Sequence, residues 1–233
     1  MSQPLSPAPA LEALRSKLIV SCQAENGDPL DDTATLTRMA ASVLRGGTAG
    51  LRAEGVERIT AFRSLTPLPI VGMVKTSDAQ GHVYITARFN YAQAVAAAGA
   101  DIVALDCTHR RLLEAEPWPG LIHRIHTELK LPVCADIATL EDALAAEAAG
   151  ADAVATTLCG YTPETSGIRS VPWPLLELLL DRVRVPVIVE GHVTQPQEVR
   201  TALAMGAHAV VVGSAITRPQ TITARFAAAA AEG

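Results

Sequence analysis

Aromatic residues make up only 3% of this 233-residue chain, and charged residues only 18%. So few aromatics leave little on which bases could stack. Lysine and arginine number 19 against 24 aspartates and glutamates, a formal net charge of -5, with no basic block. Nucleic acid is therefore not an expected partner. No uninterrupted apolar run approaches the length of about 18 residues that a membrane helix needs. The opening MSQPLSPAPALEALRS lacks the basic start and apolar centre of a secretory leader, so none is expected. The four cysteines, Cys22, Cys107, Cys134 and Cys159, form no CxxC and are expected to be reduced and mostly buried. A cytoplasmic setting follows as the expectation. No GxGxxG follows the first apolar run, which argues against a dinucleotide cofactor. Neither HExxH nor HxH occurs. His123 and His126 share a predicted helix face without an evident third ligand, so a surface pair is expected and no metal site.

Hydrophobic residues make up 49% of the chain, enough for one sizeable core. Short apolar runs recur at intervals of roughly 20 to 30 residues, with helical patterns between them. Predicted strands are LIVSCQ (18–23), AGLRAE (49–54), PLPIVGMVK (67–75), DIVALD (101–106), LPVCADI (131–137), AVATTL (153–158), RVPVIVEG (184–191) and HAVVVGS (208–214). The stretch 76–87, TSDAQGHVYITA, reads as a long active-site loop, and its VYI is not taken as a strand. The last segment, ITRPQTITARFAAAAAE, is expected to close the barrel as an eighth helix. AAAGADIVALD, AEAAGADAVATT and AMGAHAVVVG repeat one junction, with a glycine ending the helix and a small residue turning into the strand. Eight strand–helix units predict a single (β/α)8 TIM barrel, here 18–233, behind an N-terminal extension and short helix at 1–17. The first eight residues are expected to be frayed, and PALEALRS to cover the barrel bottom.

Several predicted strands end in a polar or charged residue: Gln23, Glu54, Lys75, Asp106, Asp136 and Glu190. Packing gives a buried strand no reason to finish that way. In a parallel barrel such ends converge on the face where chemistry occurs. Lys75 suits an anion clamp, a Schiff base or a general base; the last needs a neutral amine, favoured by burial or by nearby Arg52. Otherwise it is an ion-pair partner of Glu54 or Asp136. Glu190 suits substrate orientation, pairing with Lys75 or proton exchange, or merely caps loop amides. Asp136 holds Lys75, a sugar hydroxyl or a helix start. Asp106 reaches a substrate hydroxyl or orders its loop. Gln23 offers both donor and acceptor. Alternation puts Arg52 and Glu54 on one side of their strand, and a ligand is the favoured partner for Arg52. Gly191, Gly213 and Ser214, in the loops after the seventh and eighth strands, with Arg218 one turn on, predict a phosphate site.

These residues lie in LIVSCQA, GLRAEGV, PIVGMVK, VYITA, GADIVALDCTHR, ADIATLEDA, ATTLCGYT, VIVEGHVTQPQEV and VVVGSAITRPQTIT. In that order, over about residues 18 to 226, the sequence resembles the N-acetylmannosamine-6-phosphate 2-epimerase family. The resemblance implies reversible conversion of N-acetyl-D-mannosamine 6-phosphate to N-acetyl-D-glucosamine 6-phosphate in sialic-acid catabolism. It implies Lys75 as the catalytic lysine and Glu190 as its partner carboxylate. Gln23, Arg52, Asp136 and Arg218 match the family's binding set, with phosphate held by Arg218 and the backbone near Gly191, Gly213 and Ser214. It further implies a homodimer without cofactor or required metal. Ala87 stands where the family often has proline, and Cys107 where it often has alanine; neither change removes a proposed catalytic group.

Overall fold

The computed structural model describes residues 8–24, 27–110 and 115–231. Residues 1–7 of the expected frayed start, and Glu232 of the expected last helix, lie outside them. In chain order the elements are α1 (Pro9–Glu12), β1 (Lys17–Cys22), α2 (Thr33–Arg45), β2 (Gly50–Glu54), α3 (Val56–Arg63), β3 (Ile70–Met73), β4 (Lys75–Ser77), β5 (Val83–Ile85), α4 (Phe89–Ala97) and β6 (Ile102–Asp106). Then come α5 (Trp118–Arg124), β7 (Val133–Asp136), α6 (Leu140–Ala148), β8 (Ala153–Ala155), α7 (Trp173–Arg182), β9 (Val187–Glu190), α8 (Pro196–Met205), β10 (Ala209–Val212), α9 (Ser214–Thr217) and α10 (Pro219–Ala231). Eight strands close into a parallel barrel in the order β1-β10-β9-β8-β7-β6-β3-β2. This is a (β/α)8 barrel.

The two-residue period of the strands sorts their side chains into two cores. Val20, Leu51, Val103, Ala135, Val189 and Val210 face outward and pack beneath helix residues such as Leu36, Ile59, Phe62 and Leu176. Ile19, Met73, Ala104, Cys134, Ala155, Ile188 and Val211 fill the interior. Leu11 and Leu14, from α1 and the turn after it, join the interior cluster and are fully buried. The same alternation aims the strand ends. Asp106 follows Ala104 by two residues, Asp136 follows Cys134, and Glu190 follows Ile188, so each points to the barrel axis. Polar starts fix the helices locally: Asp32 caps α2 by accepting from the Thr35 amide at 2.8 Å, and Thr139 with Asp142 forms a capping box on α6. At the repeated helix–strand junction, Gly150 and Gly206 take φ of 98° and 112°, a region that a side chain would strain.

Four expectations are corrected. Val83–Ile85 is a strand, antiparallel to Lys75–Ser77, and the two form a hairpin separate from the barrel. Lys75 therefore opens β4 instead of ending a barrel strand. The sixth strand stops at Ala155, and Thr156–Leu158 tightens into a 3-10 turn. Finally, the terminal helix does not close the barrel. Arg218 (φ -121°, ψ 88°) breaks it into α9 and α10, and α10 buries none of its residues. The helix after β6 is also irregular, ending in a π turn at Ile125–Leu129.

Leu14 plugs the lower end of the barrel, where it also fills the space that a side chain at Gly50 would need. Leu14→Ala is expected to destabilise the protein by about 3 kcal/mol. A urea titration should show a lower midpoint at unchanged slope.

Candidate active site

At the C-terminal face of the barrel lies a buried charge network built on Arg52. Its residue is only 1% exposed. Arg52 Nη2 donates to Asp136 Oδ2 at 2.7 Å, and its Nε stands 3.0 Å from Glu190 Oε1. Arg52 thus meets two carboxylates, one of the two kinds of partner open to it. Burial alone would lower the pKa of the guanidinium, but Asp136 and Glu190 reverse that and keep it charged. Asp136 is fully buried and takes a second hydrogen bond, from Thr157 Oγ1 at 2.5 Å. Glu54 is held by Arg58 at 3.0 Å. The carboxylates expected to pair with Lys75 are therefore engaged by arginines.

Above this network opens a cavity of about 660 Å³, a size suited to a small ligand. Gln23, Lys75, Glu190, Gly191, Gly213, Ser214 and Arg218 all line it, while Arg52 and Asp136 do not. Gln23 is largely buried; its Nε2 donates to Ser21 Oγ at 2.6 Å and its Oε1 is unpartnered among the described residues. Glu190 Oε2 is likewise unpartnered. Both oxygens offer buried acceptor sites beside the cavity. Burial pushes the Glu190 carboxyl up to about 7, against the opposing charge of Arg52. Lys75 is open to the cavity water, yet the crowding of protein around it lowers its pKa, as does the positive field of Arg52. A substrate that displaces this water deepens that effect. A lysine depressed toward neutrality and a carboxyl near neutral pH make a pair suited to exchanging protons.

Several cavity residues escaped the sequence reading of the site. Thr157 follows the shortened β8. Arg110 ties the hairpin to the barrel: Nη2 donates to the Val83 carbonyl at 2.8 Å and meets Asp106 Oδ2 at 3.3 Å, and the guanidinium lies 5.1 Å from the Tyr84 ring centroid. Asp106 also accepts from the Thr108 hydroxyl at 2.7 Å, so it orders its own loop. His192, at φ 58°, donates through Nε2 to the Cys159 carbonyl at 3.0 Å and stacks on Tyr161. Arg225 lines the cavity on the side of Ser214 and Arg218 and reaches the Thr194 carbonyl at 3.4 Å. Spacing gave no signal for these, because each acts across loops. As for metals, no group of three or more His, Cys, Asp or Glu suited to one occurs among the described residues. His126 pairs with Asp152 at 2.7 Å, apart from His123.

A family model described as "Putative N-acetylmannosamine-6-phosphate epimerase" matches residues 36–232. The chain belongs to this family. A relative from Clostridium perfringens (strain SM101 / Type A), described in the same terms as a 2-epimerase, is 41% identical over 216 residues, covering 93% of this chain and 97% of its own. One from Synechococcus elongatus (strain ATCC 33912 / PCC 7942 / FACHB-805), so described as well, is 45% identical over 209 residues, covering 89% and 90%. The solved N-acetylmannosamine-6-phosphate 2-epimerase of Clostridium perfringens superposes with a TM-score of 0.90 at 38% identity, covering 98% of this chain and 99% of that one. A thiamine phosphate pyrophosphorylase from Pyrococcus furiosus, at 20% identity and a TM-score of 0.62, shares the fold over 90% of each chain.

Within this epimerase-family site, Glu190 imposes a pH dependence on stability. A carboxyl whose folded pKa exceeds its ordinary value binds its proton more tightly when folded. Its favourable contribution is complete below pH 4.5 and is lost as pH rises through about 7. Relative to Glu190→Gln, the wild type is expected to lose roughly 1–3 kcal/mol of unfolding free energy across that window. Denaturant titrations of both proteins at several pH values measure it.

Proposed function

We propose that this chain catalyses the reversible 2-epimerisation of N-acetyl-D-mannosamine 6-phosphate to N-acetyl-D-glucosamine 6-phosphate, a step of amino-sugar and sialic-acid catabolism. The observation that carries this reading is the meeting of Lys75 and Glu190 in one cavity whose far side is built from Gly191, Gly213, Ser214 and Arg218. Family membership names the sugar; the cavity supplies what the chemistry needs.

The C2 hydrogen of a closed pyranose is not acidic. Ring opening places an aldehyde at C1 and makes that hydrogen removable. Neutral Lys75 takes the C2 proton and leaves an enediolate, and the protonated form of Glu190, present in quantity at neutral pH, returns a proton to the opposite face. The sugar leaves with inverted C2, and solvent restores Lys75 and Glu190 to their starting states. Gln23 Oε1 accepts from a sugar hydroxyl or amide. Arg218 and the backbone at Gly191, Gly213 and Ser214 hold the phosphate, anchoring the reacting carbon between the two groups. Arg52 and Asp136 act from beneath: Arg52 holds the Glu190 carboxyl and lowers the pKa of Lys75. No cofactor or metal enters this scheme.

Residues 18–233 form the catalytic unit in this reading, with 1–17 as an extension. The enzyme works in the cytoplasm as a homodimer. The support for the dimer is α10, whose apolar run Phe226–Ala231 stays exposed, Phe226 at 75%. Protomers joined through α10 would have a solution mass twice that of the chain, and Phe226→Asp is expected to halve it in light scattering. An unchanged mass would remove α10 from the interface.

Proton NMR of the enzyme with N-acetylmannosamine 6-phosphate in deuterated water tests the reaction. The expected product is N-acetylglucosamine 6-phosphate carrying deuterium at C2; no conversion by folded protein would refute the reading. Lys75→Met should retain the fold, by circular dichroism, and slow C2 exchange by about 10²- to 10⁴-fold. Wild-type exchange in that variant would exclude Lys75 as the base.

A further inference from the structure

Two carboxyls, Asp136 and Glu190, flank the single guanidinium of Arg52, and only one of them serves as the proton carrier. The donors around them are unevenly shared. Arg52 Nη2 gives Asp136 Oδ2 a hydrogen bond of 2.7 Å. Thr157 Oγ1 gives Asp136 Oδ1 another, at 2.5 Å. Among the described residues Glu190 has the Arg52 Nε at 3.0 Å, which approaches without hydrogen-bond geometry, and no hydrogen bond of good geometry to its Oε2.

Thr157 sits at the junction. The preceding Thr156 pins the main chain of Glu190: its hydroxyl donates to the Glu190 carbonyl at 2.8 Å, and the Glu190 amide lies 3.0 Å from the same oxygen. Thr157 then faces the cavity, and its side chain interacts with the Glu190 carboxyl as well as with Asp136. A hydroxyl has one hydrogen to give.

We propose that Thr157 is a positioning residue that selects which carboxyl carries the mobile proton: by giving its hydrogen to Asp136 it completes that group's pairing beside Arg52 and leaves Glu190 to gain and lose the proton. This deepens the epimerase reading and rests on it only for the use made of the proton. The charged groups facing Glu190 are Arg52 from β2, Lys75 from β4 and Asp136 from β7. None of them is altered by changing Thr157. Without that hydrogen Asp136 competes with Glu190 for the proton, so removing the hydroxyl lowers the share that Glu190 carries.

The test is a carbon-13 NMR titration of carboxyl-labelled glutamate in the unliganded protein, with the Glu190 signal assigned by its loss in Glu190→Gln. Thr157→Val is expected to move the Glu190 titration downward by about half a unit or more, as Asp136 takes a larger share of the proton. The acid–base arm of the kcat/KM profile should move with it, kcat at neutral pH should fall by about tenfold or more, and KM should change little. Thr157→Ser, which keeps the hydroxyl, should restore all three. Thr157→Ala provides a second hydroxyl-free variant, should valine not fit. A wild-type or raised titration in the hydroxyl-free variants, or a serine variant that titrates as they do, would overturn the proposal. A shifted titration in a protein that turns over no N-acetylmannosamine 6-phosphate would uphold the role of Thr157 and refute the proposed reaction.

Discussion

The site hangs on the burial of one guanidinium between two carboxylates. Arg52, Asp136 and Glu190 come from β2, β7 and β9, far apart in the chain and brought together only when the barrel closes. Stripping water from three charges is costly, and the cost is offset only while each keeps its partners. Removing one member of such a group commonly costs about 3–5 kcal/mol, because the others stay buried without it. The unequal sharing within the group generates its chemistry. Asp136 takes two good hydrogen bonds. Glu190, adjoining the cavity, keeps a bare oxygen and a carboxyl displaced to about 7. The same positive charge reaches upward to Lys75 and lowers its pKa. One buried arginine thereby pushes an amine toward its neutral form while it holds the facing carboxyl in place.

Much of this could be read in the chain because strands alternate. A charge two residues beyond an interior alanine, cysteine or isoleucine must point to the barrel axis, so Asp106, Asp136 and Glu190 were visible as inward-facing strand ends. The partner of Arg52 was not visible in the same way. Alternation gives the side of the sheet, but which strand ends meet across the axis depends on how the barrel closes. The pairing of Arg52 with Asp136 and Glu190 could not be read from the sequence for that reason.

Other misreadings were local contests of pattern. Thr157 was hidden in AVATTL, where a run of small β-favouring residues hides the tightening after Ala155. Val83–Ile85 pairs with Lys75–Ser77 across a five-residue connection, longer than the two-residue turn that marks a hairpin most plainly in sequence. The alanine-rich end was correctly read as helical. Yet alanine packs weakly against anything, so helical periodicity could not say whether α10 would lie on this barrel or leave it.

The placement of Lys75 outside the barrel has its own consequence. The lysine opens a two-stranded hairpin of three residues per strand, and so small a ribbon holds little stability by itself. Its base is anchored in the barrel by Ile85, which pairs with Lys75 and is buried in the interior cluster, and Arg110 ties its second strand to Asp106. The barrel staves are buried on both faces, whereas the tip of the hairpin is exposed. Regions of this kind open before the whole molecule does. On warming, the tip would open while Ile85 still pinned the base, so the amine would keep its register with the carboxyl after the ribbon above it had frayed.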